Sequence, residues 1–204
     1  MARPIRLKTH WFKEERTQSR TPEDVASAMT PIVWRTANHR VQNLREGKFE
    51  IAPGASYVEI LAELMCFEIV VADRIAFRYD PGDWRERFTA SLTNRVGALL
   101  QENFDELLGP APGGGYKKRF VDLCNRRATE YAYFDYGPDG PEFGMLRHFG
   151  ESVTHAMTDP DDRRWAADQA MTVEGPECVD VIERGMRGLL GMEPKRPRSL
   201  TRGD

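Results

Sequence analysis

Apolar residues recur along the chain at the three- and four-residue spacing of a helix face, and almost nowhere alternate as a strand requires. The pattern opens after Thr21-Pro-Glu-Asp24. Thr21 can cap, Pro22 suits a first helical position, and the two acids favour the positive end of the helix dipole. Val25, Ala28, Ile32, Val33, Val41 and Leu44 carry the stripe towards Gly47, and Pro31 inside it predicts a kink or a break. A second helix is expected from Ser56, with Glu59 at capping-box spacing, to Tyr79, where Asp80-Pro81 stops it. The third, from near Trp84 to Leu108, carries the stripe Trp84, Phe88, Leu92, Val96, Leu99, Leu100, Phe104 and Leu107.

Pro110-Ala-Pro-Gly-Gly-Gly115 reads as a linker. Beyond it, helices are expected over 116–133, 141–157, 161–171 and 176–190. Turns at Gly137-Pro-Asp-Gly140, Asp159-Pro160 and Gly175-Pro176 separate them. The fold class is therefore all-α, a bundle of about seven helices without a sheet. The expected layout is an N-terminal segment over 1–20, a helical domain over 21–191 and a disordered tail over 192–204.

The two sides of the linker, 21–109 and 116–191, also resemble each other. Phe49-Glu50-Ile-Ala-Pro53 is matched by Phe134-Asp135-Tyr-Gly-Pro138, and at the same offset Ile60, Leu61 and Leu64 are matched by Met145, Leu146 and Phe149. Duplication of a helical unit is one explanation, and chance agreement between helices and turns is the other.

The second helix changes the picture most. At about 100° per residue, Leu61, Leu64, Met65, Ile69, Val70, Val71, Ile75 and Phe77 spread almost all the way round, as in the centre of a bundle. Its acids then need partners. Glu59, Glu63 and Arg74 fall within about 60° of one another, whereas Glu68 stands apart. A metal could hold Glu59, Glu63 and Glu68, and so could arginines from this or other helices; the plainer reading leaves the first two in exposed first turns.

His148-x-x-Glu151-x-x-x-His155 is the other candidate, because i, i+3, i+7 puts two histidines and a carboxylate, a set suited to zinc, iron or manganese, on one helix face. With the glutamates it would make an inward-facing carboxylate and histidine set. Against this, Leu146, Phe149, Val153 and Met157 cluster about 140° from His148, which turns the triad outward. A divalent metal at Glu59, Glu63, Glu68, His148, Glu151 and His155 is thus the one cofactor worth testing; no other is predicted. The remaining catalytic motifs are missing: Gly113-Gly-Gly-Tyr-Lys117-Lys118 lacks P-loop spacing, and no nucleophile–histidine pair is legible.

Charge and cysteine usage narrow the class further. A net charge of −3, with the one clear basic cluster (Lys195, Arg196, Arg198, Arg202) in the tail, speaks against a nucleic-acid partner. Cys66, Cys124 and Cys178 are scattered without a C-x-x-C pair and read as reduced core thiols. The N-terminus has no apolar signal stretch, and the most hydrophobic segment, 57–72, carries Glu59, Glu63 and Glu68, so no membrane partner and a cytoplasmic location are expected.

Lys8-Thr-His-Trp-Phe-Lys13, Thr21-Pro-Glu-Asp-Val-Ala26 and Ala72-Asp-Arg-Ile-Ala76 resemble segments of a group of uncharacterised bacterial, all-helical, cytosolic proteins, a likeness running along most of the chain. The resemblance implies a bacterial cytosolic origin and brings no activity, cofactor or catalytic residue. The function that needs fewest assumptions is protein–protein interaction or self-association, with the third helix's stripe as a donor for a homo-oligomer. The alternatives are a metal-dependent helical-bundle enzyme built on the glutamates and histidines above, and a regulator with a helical small-ligand pocket, which lacks a recognisable DNA-reading unit.

Overall fold

The apolar stretch that follows Gly54 becomes the axis of the molecule. A computed structural model describes residues 20–47, 49, 51, 54–111, 113–155, 157 and 160–192. Within these lie α1 (Pro22–Glu46), α2 (Ala55–Tyr79), α3 (Asp83–Leu108), α4 (Gly115–Tyr131), α5 (Phe143–Thr154), α6 (Pro160–Gln169) and α7 (Gly175–Leu190). The protein is all-α. Residues 60–72 of α2 are buried without interruption, and α1, α3, α4, α5 and α7 all pack against that helix. At its middle Phe67 stacks on Phe149 of α5, with ring centroids 4.2 Å apart, and Tyr131 of α4 closes the group at 5.9 Å. Such contacts add to the burial of three large rings.

The helix ends follow local chemistry, with two departures from expectation. Thr21 caps α1 by accepting the Asp24 N–H, as the sequence suggests. At α2 the expected capping box is not formed: Gly54, with φ 104°, precedes the helix, no side chain caps it, and Ser56 already lies inside. Pro31 does not split α1. It lies on the exposed face together with Ser27, whose carbonyl it leaves without a donor, so water can supply the missing hydrogen bond.

Among the described residues six continuous helical rods form instead of the seven expected, because Gly175-Pro176 does not end a helix. Ala170–Glu174 adopts a wide π turn that joins α6 to α7. Pro176 has no N–H for the carbonyl four residues back, and the looser i→i+5 pattern accommodates both that loss and the ring. Gly175 is needed there because a Cβ would lie 3.0 Å from the Leu146 side chain and 3.1 Å from the Ala170 carbonyl oxygen. A small departure from the sheet-free expectation is an antiparallel pair, β1 (Tyr136–Gly137) and β2 (Gly140–Pro141), turning over Pro138-Asp139. Arg74 and Arg78 of α2 hold this region: Arg74 donates to the Tyr131 and Phe134 carbonyls, and Arg78 to those of Tyr136 and Gly137.

The stripe of α3 is used inside the bundle. Phe88, Leu92, Val96, Leu100 and Phe104 are buried, largely against α1 and α4, and only Leu107 and Leu108 at its end face out. No helix among the described residues is long and apolar enough to cross a membrane. The Lys8–Lys13 segment, Trp11 and the basic tail from 193 onward lie outside the described residues.

Candidate functional site

Where α4 crosses α2, two apolar faces meet imperfectly and leave a cavity of about 640 Å³. Its floor is Val58 and Ala62 of α2, Leu100 of α3, and Tyr116, Phe120 and Leu123 of α4. The charged groups of its lining are Glu59 and Glu63 on α2, Arg119, Arg126 and Arg127 on α4, and His155 just past α5. The alternation of Phe120 and Leu123 with Arg119, Arg126 and Arg127 follows from an amphipathic α4, apolar towards the core and basic beside it.

Three of the six sequence candidates, Glu59, Glu63 and His155, thus face one cavity, but they do not share a site. Glu59 is exposed and stands 4.0 Å from Arg119. Glu63 is not in an exposed first turn, as the plainer reading had it; it is buried against Arg127 in a two-pronged contact. The Arg127 Nε–Oε2 distance is 2.7 Å and the Nη2–Oε1 distance 2.5 Å. Hydrogen bonding to Glu63 raises the Arg127 pKa further above its already high ordinary value, and Glu130 adds to the effect. His155, exposed at the end of α5, has Nδ1 3.3 Å from the Glu151 carbonyl oxygen.

The other three go elsewhere. Glu151 is exposed and pairs with Arg147 one turn back, at 2.9 Å. His148 departs from the outward face on which its helix wheel places it. It is tucked edge-on against Tyr131, with centroids 5.0 Å apart, beside Phe134, and its Nε2 lies 3.0 Å from Glu130 Oε2. Glu130 also accepts from Arg127, so Glu63, Arg127, Glu130 and His148 form one chain of charged and polar groups from the cavity wall to α5. Burial works against a charge on Glu130, but the hydrogen bond and charge of Arg127, then those of His148, outweigh it and hold the carboxyl below its usual range.

Glu68 is fully buried and does not meet an arginine. Its Oε1 accepts from Cys178 Sγ at 3.4 Å, and its Oε2 has no hydrogen-bond partner. Burial pushes its pKa well up, against weaker opposing effects of Cys178 and the more distant Arg40. Arg40 is engaged instead by Glu174 and Glu177 of the wide turn and α7, and Asn43 and Gln169 complete the set around the buried Glu174.

Among the described residues no group of three or more His, Cys, Asp or Glu side chains is placed to hold a metal ion. The arginines that organise the cavity were not singled out from the sequence, although Arg126-Arg127 followed by Glu130 was a visible basic–acidic run. No family model matches the chain, nor does any curated protein or solved structure.

Proposed function

We propose that the protein binds a small amphipathic anion, an organic carboxylate or phosphate with an apolar body, in the cavity between α2 and α4. One observation carries this reading: an apolar floor ends at Arg126, an exposed cation on the rim with no ion-pair partner among the described residues. A volume of about 640 Å³ falls within the usual range for ligand sites. Arg119 is held by Glu59 only at 4.0 Å, so a bound anion can recruit it as well. Arg127 is already committed to Glu63 and serves to hold the wall. The three free buried thiols and the likeness to a bacterial cytosolic group favour a cytoplasmic setting.

Calorimetric titration of the full chain with medium-chain fatty acids and alkyl phosphates tests the proposal. Micromolar binding that falls at least tenfold in Arg126→Glu, with unfolding midpoint unchanged, is the expected result. Failure of every probe to bind, or equal binding by Arg126→Glu, overturns it. Self-association keeps support from one feature: Leu107 and Leu108, at 71% and 49% exposure, give α3 an apolar end beside the cavity mouth. Sedimentation of wild type against a Leu107→Glu, Leu108→Glu variant tests that reading; a monomer at all concentrations sinks it. A metal-assisted reaction has less behind it, because Glu63, His148 and Glu151 are each engaged by other side chains.

A further inference from the structure

The three cysteines differ in what they face. Cys178 of α7 points at Glu68, but Cys66 of α2 and Cys124 of α4 point at each other, with Sγ atoms 2.8 Å apart. A disulfide bond length is about 2.05 Å, so less than about 1 Å of movement joins them. The pair belongs to two different helices, separated by 58 residues of chain, and lies directly beneath the Glu63–Arg127 contact: Cys66 follows Glu63 by one turn, and Cys124 precedes Arg127 by one turn. Cys66 is sealed, whereas Cys124 keeps a small exposed fraction, 8%.

We propose that Cys66 and Cys124 are a redox-modification site, forming a reversible disulfide between α2 and α4 when hydrogen peroxide oxidises the folded protein. Peroxide is the oxidant class that fits, because it is scarcely larger than water and Cys124 is only 8% exposed. Cys124, as thiolate, attacks one peroxide oxygen; the O–O bond breaks, and the expelled hydroxide takes a proton to leave as water. The resulting sulfenic acid is attacked by the Cys66 thiolate, the S–O bond breaks, and a second water departs. Two thiols and one peroxide give one disulfide and two waters, the two electrons passing from sulfur to oxygen. Burial, reinforced by the hydrogen bond with Cys124, raises the Cys66 thiol pKa and makes closure slow. Once formed, the bond is reduced slowly for the same reason, because both sulfurs are buried.

The test uses the full reduced chain, treated with graded peroxide, then denatured and alkylated. The expected product weighs two hydrogens less than the reduced protein, accepts one alkyl label instead of three, and yields a peptide joining Cys66 to Cys124. Cys178, held by Glu68, stays labelled as an internal control. Closing a loop of this length should raise the thermal midpoint by roughly 5 °C or more, and dithiothreitol should reverse both changes. Cys124→Ser and, independently, Cys66→Ala should abolish the cross-link, whereas Cys178→Ala should keep it. Three labelled thiols at every dose, a bond involving Cys178, or sulfinic acid at Cys124 without a cross-link would each overturn the assignment.

Discussion

Glu63 and Glu68 lie on the same helix, both buried, in a segment otherwise made mainly of Leu, Met, Phe, Ile and Val. Beside Glu63, α4 presents the fork of Arg127, and both carboxylate oxygens are met. Beside Glu68, α7 presents only the Cys178 thiol, because the nearby Arg40 is held by Glu174 and Glu177. The first carboxylate is compensated; the second is pushed towards its neutral form. Depth alone does not set the state of a buried acid. What decides it is whether an opposing helix can spare a donor pair at that level of the bundle.

Removing the compensation at Glu63 should give the largest effect. Arg127→Met leaves a buried carboxylate unpaired and also releases Glu130, so a loss of roughly 3 kcal/mol is expected from denaturant unfolding. Adding Glu63→Gln to that variant should recover part of it. A loss no larger than that of a surface substitution would mean that water already reaches the pair.

Glu68→Gln should act in the opposite sense. The folded protein holds the Glu68 proton more tightly than the unfolded chain does, because the folded-state pKa is raised. This residue therefore favours folding most below the ordinary carboxylate range, and that support is lost as pH rises through the folded-state value. The variant should match wild type near about pH 4 and exceed it near about pH 8, by more than the roughly 0.5 kcal/mol of an ordinary surface change. An equal gap at both pH values would show that Glu68 ionises normally.

Smaller changes sharpen the contrast at the edges of the network. Glu130→Gln weakens one end of the chain from Glu63 to His148, and, being partly exposed, should cost no more than about 1 kcal/mol. The same substitution should shift the His148 ring signals in an NMR spectrum, since its Nε2 contact changes. Glu59→Gln, in an exposed pair at 4.0 Å, should stay within about 0.5 kcal/mol of wild type in the same unfolding assay.

The all-round apolar pattern of α2 showed that the helix is central and that its acids need partners; it could not name them, because periodicity is local and pairing is not. Arg127 lies 64 positions beyond Glu63, and nothing in the spacing of α2 points to it. His148 shows a different gap. Its wheel position relative to Leu146 and Phe149 is outward, but Tyr131 and Phe134, from the preceding helix and its turn, cover that side. Gly175-Pro176 is a sound local stop signal that the packing of Leu146 and Phe149 around Gly175 overrides. The cavity left no trace in the sequence, since it is space left where two well-predicted helices meet.

The wide turn at Ala170–Glu174 also uncouples the number of residues in its rod from the direction they face. Deleting one residue from the middle of α2 would turn every later side chain by about 100° and carry Cys66, Ile69 and Ile75 off their partners. Deleting one residue within Ala170–Glu174 can instead be absorbed by tightening the turn to ordinary α geometry, at the cost of crowding the Pro176 ring, so that Cys178, Val179, Ile182 and Met186 still face the core. The last rod is therefore where this fold can accept a change in chain length without rewriting its interior.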